Sequence, residues 1–370
     1  GDGVDILKSH LLEAASVHQA QDVADKGFRM GLDRVFTLDG IGTVVAGSIV
    51  AGQVRIGDSL CLAHEPERQY RVRSLHSHNR NVQSALAGQR CAVGLVGLER
   101  DKVERGMTLC DPRIAQSSQR IDVWLRVATT EERPLRSGTL VHLHGGTQDV
   151  MATVAVLGQS SIGPGESAPV QLVMQQPVHV WWGDALVLRD ASATRTVAGG
   201  CVLDSQGPSR YRQTEQRLLN LHHLRQPVLS DRLMGMLLQA SYGVLGENWL
   251  RQSGYIQWPF DPSDLPGVMY DSRRSWLVLM ERLSSSETAV MEMLKQFHAR
   301  WPAATRLPEA QVRSVLVRLA KSGETYQIVK DLHYHPKVVH ELAQLARQIN
   351  DRDGQVTAAA FRDATNLGRK

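Results

Sequence analysis

Residues 28–63 read FRMGLDRVFTLDGIGTVVAGSIVAGQVRIGDSLCLA. Apolar, β-branched runs are cut at short intervals by Gly40, Gly42, Gly47, Gly52 and Gly57. Runs of about five residues between glycine turns predict an all-β barrel or sandwich. No segment between them is long enough for a crossover helix, so a parallel βαβ sheet is excluded. The same rhythm continues through YRVRSLHSH (70–78), AGQRCAVGLVGL (87–98) and GMTLCDP (106–112). A second β-rich block occupies 121–204, with DVWLRVA, GTLVHLHGG, DVMATVAVLG, APVQLVMQQPVHV and DALVLRD. Its clearest turns are Gly145-Gly146 and Gly163-Pro164-Gly165.

On either side the period changes. GVDILKSHLLEAA (3–15) has apolar residues at helical spacing. One amphipathic helix does not fold alone, so it is expected to belong to a preceding domain. After Gly207-Pro208 the strands give way to helices such as TEQRLLNLHHL, ETAVMEMLKQFHARW, EAQVRSVLVRLAKSG and PKVVHELAQLARQIND. Short β runs, YQIVKD and LHYHP, stand between two of them. Paired helices, a hairpin and a further helix predict winged-helix modules. GQVTAAAFRDATNLGRK (354–370) reads as the opening of another such module, cut at Lys370.

The expected organisation is therefore multidomain. It runs as a helix and linker (1–27), two β-barrels (28–114 and 115–206), and helical modules at 207–272, 273–349 and 350–370.

Composition narrows the function. The 370 residues are 42 % hydrophobic and 22 % charged, enough to build cores. The net charge of +4 is uneven. Residues 1–209 carry 20 Lys and Arg against 22 Asp and Glu, and residues 210–370 carry 22 against 16. The basic half points to a nucleic-acid partner there. No apolar run approaches a membrane span, and no secretory signal pattern is present. Cys61, Cys91, Cys110 and Cys201 lie far apart, which excludes a zinc ribbon and a disulfide framework and fits a reducing cytoplasm. They are expected to be buried small hydrophobes.

Catalytic signatures are missing. No G-x-x-x-x-G-K-[ST] loop or Asn-Lys-x-Asp motif occurs, so no nucleotide site is expected in these residues. His76/His78, His142/His144 and His333/His335 each have strand-face spacing for a metal. None has an evident cysteine or carboxylate partner in sequence, so surface histidines and no metal are expected.

The first block resembles the second domain of translational GTPases of the elongation factor Tu class. DRVFTLDGIGTVVAGSIVAGQVRIGDSLCL (33–62) and SALAGQRCAVGLVGLERDKVERGMTLCDP (84–112) carry this resemblance through their glycine spacing and Glu104-Arg105-Gly106. Most of the chain, with its basic helical C-terminal half, resembles the selenocysteine-specific elongation factors of the SelB type. FRMGLDRVFTLDGIGTVVAGS, DALVLRDASATRTVAGGCVLD, YQIVKDLHYHP and AAFRDATNLGRK support this, and the match is weakest at 206–320.

The resemblance implies a piece of such a factor, lacking the GTPase domain and truncated in its last winged helix. It implies delivery of selenocysteyl-tRNA to the ribosome at codons marked by a messenger RNA hairpin, in the cytoplasm. GTP and Mg²⁺ would belong to the longer parent, and no catalysis to these residues alone. Asp33, Arg34 and Arg90 match pocket positions for the aminoacyl group. An ionised selenol calls for arginine, which stays charged and offers a fork of donors. Asp33 would orient an arginine or bind the α-amino group. Arg126, Arg136, Arg189 and Arg195 are loose candidates for tRNA contacts. Gly368, Arg369 and Lys370 match the RNA-facing start of a recognition helix. The alternatives are a winged-helix DNA-binding regulator with β-barrel partner domains, or another elongation factor Tu-like factor.

Overall fold

A computed structural model describes residues 2–17, 25–240, 243–295, 309–329 and 332–365. The chain divides into two compact units, Gly1–Gln239 with Leu245–Pro262, and Ala240–Val244 with Ser263–Lys370. The expected fold class is observed: two β-barrels followed by mainly helical segments.

The first helix, α1 (Val4–Val17), leaves Val4, Ile6, Leu7, Leu11 and Leu12 more than half exposed. The first barrel follows. Its strands are β1 (Arg29–Leu38), β2 (Gly42–Ala51), β3 (Gln53–Arg55), β4 (Ser59–Leu62), β5 (Glu65–Ser77), β6 (Arg80–Val82), β7 (Ser84–Leu86), β8 (Arg90–Val96) and β9 (Thr108–Cys110). The sheet order is β4-β9-β1-β2-β8-β5-β6, and β4 also pairs with β5, which closes the ring. Period-two alternation sends Met30 and Leu32 of β1, Val45 and Ile49 of β2, and Val93 and Leu95 of β8 into one core. Gly47 is required where β1 and β2 cross closely. A Cβ there would stand 1.9 Å from the Gly31 carbonyl oxygen.

The second barrel contains β10 (Ser118–Val127), β11 (Leu135–Arg136), β12 (Leu140–Gly145), β13 (Gln148–Val156), β14 (Ser161–Ile162), β15 (Ser167–Val178), β16 (Ala185–Asp190) and β17 (Thr196–Asp204). It is a closed ring, β10-β15-β13-β12-β16-β17. Closure removes the free strand edges that an open sheet would expose. The core is mainly Val, Leu, Ile and Ala from alternating positions, such as Val123 and Leu125, Val141 and Leu143, and Val170 and Leu172.

A compact joint connects the barrels. Arg29 of β1 donates through both terminal nitrogens to Asp184, at 2.6 Å each. Its guanidinium also lies 4.8 Å from the Trp181 ring centre. Trp181 is buried among Cys61, Ala63, Cys110, Ile114 and Ala115, and its indole N–H donates to the Ile114 carbonyl. The Gln116 amide donates to the Val180 carbonyl at 2.8 Å. The four cysteines are free thiols, three of them buried, as small hydrophobes.

Helices α2 (Glu215–Leu224), α3 (Leu229–Gln239) and α4 (Gly246–Ser253) fall in the same compact unit as the barrels. Thr214 caps α2, its hydroxyl accepting from the Arg217 N–H. Leu221 and Leu224 pack with Leu157 and Leu203 of the second barrel. Beneath them Arg217 bridges two carboxylates, those of Asp122, fully buried, and Asp204 at 2.6 Å.

The second unit pairs Val268–Asp271 with Trp276–Leu279, a hairpin across the expected 272/273 boundary. The helices Met280–Leu294 and Glu309–Lys321 follow, then the pair Tyr326–Val329 and Leu332–Tyr334, and the helices Pro336–Asp353 and Ala358–Thr365. Val278, Leu283, Val290, Val312 and Val315 form its core. Helix, helix and hairpin is the succession a winged helix uses. Among the described residues no helix is long and apolar enough to cross a membrane.

Candidate functional site

The β1–β2 register slips between Leu32, opposite Gly47, and Arg34, opposite Ala46. Asp33 is thus the extra residue of a β-bulge, a device that re-aims a side chain. The turn at Glu104-Arg105-Gly106 docks on the bulge. The Gly106 N–H donates to the Leu32 carbonyl, and the Leu32 N–H to that of Met107, at 2.9 Å each.

The Asp33 carboxylate accepts from both terminal nitrogens of Arg90, which opens β8 opposite Ser48; the Nη2 contact is 2.8 Å. The Arg90 side chain remains 53 % exposed and that of Asp33 26 %. The Arg90 hydrogen bonds hold the Asp33 carboxyl below the usual aspartate range, burial opposing them, and the nearby charges of Arg34 and Arg105 act in the same direction as Arg90. In return Asp33 raises the Arg90 guanidinium.

The chemistry of this patch follows from counting. One guanidinium, that of Arg90, pairs with the carboxylate, and the charges of Arg34 and Arg105 also act on it, so the local charge is positive. A guanidinium carries five N–H donors, and two of the Arg90 set are engaged by Asp33. The rest remain available in a fixed orientation. An anion reaching this wall meets oriented donors.

Asp33 and Arg90 are therefore brought together, with Arg34 exposed on the same bulge. The looser candidates are scattered over the second barrel. Arg126 donates to the Gly165 carbonyl, Arg195 is held by Glu131, and Arg136 is exposed on β11. Arg189 lies opposite His142. Gly368, Arg369 and Lys370 lie outside the described residues.

The three histidine pairs separate. His78 sits in a left-handed turn beside Ser77, and His335 caps the helix that begins at Pro336. His142 and His144 share the outer face of β12 and acquire a carboxylate that sequence reasoning missed. Asp149 of β13 stands directly opposite His144, and its Oδ1 lies 3.0 Å from the Nδ1 of His142. The signal was available: the Gly145-Gly146 turn in HLHGGTQD folds position 149 back onto position 144, with Gly146 at φ +58°. No G-x-x-x-x-G-K-[ST] loop or Asn-Lys-x-Asp motif occurs among these residues.

Comparison with known proteins matches each of the two barrels to a known domain. Residues 42–110 match elongation factor Tu domain 2. Residues 119–209 match the beta-barrel domain of the selenocysteine-specific elongation factor. The chain is 29 % identical over 351 residues to the selenocysteine-specific elongation factor of Desulfomicrobium baculatum, covering 93 % of this chain and 53 % of that protein. It is 26 % identical to that of Escherichia coli (strain K12), covering 100 % of this chain and 70 % of that protein. The chain thus spans about half the length of the first relative. A solved bacterial selenocysteine-specific elongation factor, EF-Sec, superposes with a TM-score of 0.71 at 20 % identity, over 96 % of this chain and 58 % of that one. The resemblance expected from the sequence is borne out, and with it the barrel-then-helix architecture.

Proposed function

We propose that this chain is the part of a selenocysteine-specific elongation factor of the SelB type that holds selenocysteyl-tRNA and reaches for messenger RNA. The whole factor would carry selenocysteyl-tRNA to the ribosome at UGA codons marked by an RNA hairpin, in the cytoplasm. The observation that carries this reading is the succession of two family-matched barrels at 42–110 and 119–209, followed by a basic helical half. GTP and Mg²⁺ belong, on this reading, to the parent factor, and these 370 residues perform no catalysis alone.

The first barrel supplies one wall of the aminoacyl pocket. A selenol is ionised at neutral pH, whereas a serine hydroxyl is not. Arg90, held by Asp33, and Arg34 present charge that cannot be lost by deprotonation. Each charge-assisted hydrogen bond contributes about 1.5–3 kcal/mol. Two of them reach the roughly 4 kcal/mol that separates two ligands a thousandfold. Asp33 acts in this account as the group that orients Arg90, because its carboxylate is already engaged. The basic helical half, ending in Gly368, Arg369 and Lys370, takes the hairpin through phosphate contacts and exposed bases.

The test is binding of the chain to selenocysteyl-tRNA, seryl-tRNA and random duplex DNA at two salt concentrations. We expect tRNA to bind more tightly than duplex DNA at both. Tighter binding to duplex DNA would replace this reading with that of a DNA-binding regulator.

A further inference from the structure

We infer that His142, His144 and Asp149, on the outer face of the second barrel, bind a divalent first-row transition cation of the zinc class. This goes beyond the elongation-factor reading and does not rest on it.

The geometry is supplied by the sheet. His142 and His144 are two residues apart on β12 and project on the same side, since Val141 and Leu143 between and beside them are buried in the core. Their rings are stacked, 6.1 Å between centres and 19° apart in plane. The tight turn at 145–147 brings Asp149 opposite His144. One ligand atom from each of the three residues falls within 4.8 Å of the others.

Two distances define the site. Asp149 Oδ1 is 3.0 Å from His142 Nδ1 and 3.8 Å from His144 Nε2. Ligands with bonds of about 2.0–2.2 Å to a tetrahedral ion stand roughly 3.3 Å apart, between these two values. The 3.8 Å separation is too long for a hydrogen bond. His144 Nε2 is in fact buried from solvent and has no hydrogen-bond partner among the described residues. A buried ring nitrogen without a partner carries a desolvation cost, and a cation shared with Asp149 would remove it.

The donor set decides the class of ion. Two imidazoles and one carboxylate suit zinc and its neighbours, whereas magnesium demands oxygen ligands in near-octahedral array. Three protein ligands leave a fourth position open to water. Asp149 is half exposed, which gives the ion a path from solvent. Arg189, opposite His142 on β16, places a positive charge beside the site, so the ion must be held by strong ligand bonds and not by charge alone.

The test is zinc titration of the full chain, followed by calorimetry and by the ring-proton resonances of its histidines. We expect one equivalent of Zn²⁺ to shift the His142 and His144 resonances first, and Mg²⁺ to shift neither. His144→Gln and Asp149→Asn should weaken this equivalent by at least about tenfold, and His76→Gln should leave it unchanged. The resonance arm uses the unaltered chain, so a variant that failed to fold would not remove the test. Shifts spread evenly over the histidines, equal response to Mg²⁺, or unchanged affinity in folded His144→Gln would overturn the proposal.

Discussion

Asp33 binds Arg90 across a whole intervening strand. The two residues belong to β1 and β8, which never pair, and β2 runs between them. At this level β2 carries Ala46, opposite Arg34, and Ser48, opposite Arg90. Both side chains are small, and the bulge supplies the extra reach. The pair therefore depends on local sheet irregularity as much as on charge.

Replacing Arg90 with alanine should release the Asp33 carboxyl, whose titration then moves up toward the ordinary aspartate range. In the intact chain the value is depressed, so the pair contributes stability above the unfolded carboxyl value. That stability is lost as the pH falls through the folded value. With Arg90 half exposed, the loss is at most about 1 kcal/mol. Carboxyl NMR titration checks the direction, and an unmoved Asp33 would deny the coupling.

In a factor containing the whole GTPase, Arg34→Ala or Arg90→Ala should weaken selenocysteyl-tRNA more than seryl-tRNA. Loss of one charge-assisted bond corresponds to roughly a ten- to hundredfold fall in selectivity. Equal losses for both tRNAs would remove these arginines from the selectivity argument.

Gly47→Ala should be far more damaging than Gly57→Ala. The first Cβ would enter the Gly31 carbonyl, whereas the second meets open space and costs only the strain of a φ of +97°. We expect more than about 3 kcal/mol for the first and about 1–2 kcal/mol for the second. Urea unfolding of the two variants measures the difference.

Arg217→Met should destabilise the chain by about 3–5 kcal/mol, because it strands Asp122 and Asp204 without their shared cation. Burial already pushes the Asp122 carboxyl up, against Arg217, which pulls it down. A raised carboxyl favours the fold below its unfolded value, and that contribution is lost as pH rises through the folded one. The variant should therefore recover stability on acidification more than the parent chain does. Asp122→Asn added to Arg217→Met should restore part of the loss, as a thermal double-mutant cycle would read.

The barrels were legible because their residues alternate and their turns are marked by glycine; both signals are local. Asp33 and Arg90 were legible only through resemblance, since a contact across β2 has no signature in spacing. The carboxylate beside His142 and His144 was hidden for a different reason. His142 and His144 were visible as a pair, but Asp149 becomes their neighbour only after the Gly145-Gly146 turn sets the register. Arg217 with Asp122, and Arg29 with Asp184, join segments 95 and 155 residues apart, which no window of sequence displays.

Arg29→Ala should uncouple the two barrels. It removes both bonds to Asp184 and the guanidinium from the Trp181 ring. Two calorimetric transitions should then replace a shared one, and a single unshifted transition would show that Trp181 and Gln116 suffice.

Strand β1 also has a mechanical meaning. Arg29 grips the second barrel, and Asp33, four residues on, steers Arg90. The two grips share one strand, with register slips at Arg29/Met30 and Leu32/Arg34 on the way. An extended strand hardly stretches, so it acts as a tie rod. A shift of the second barrel at Asp184 would pull on the strand that carries Asp33, and the stiffness of the joint at Trp181 would then set how steadily the Arg90 fork is aimed.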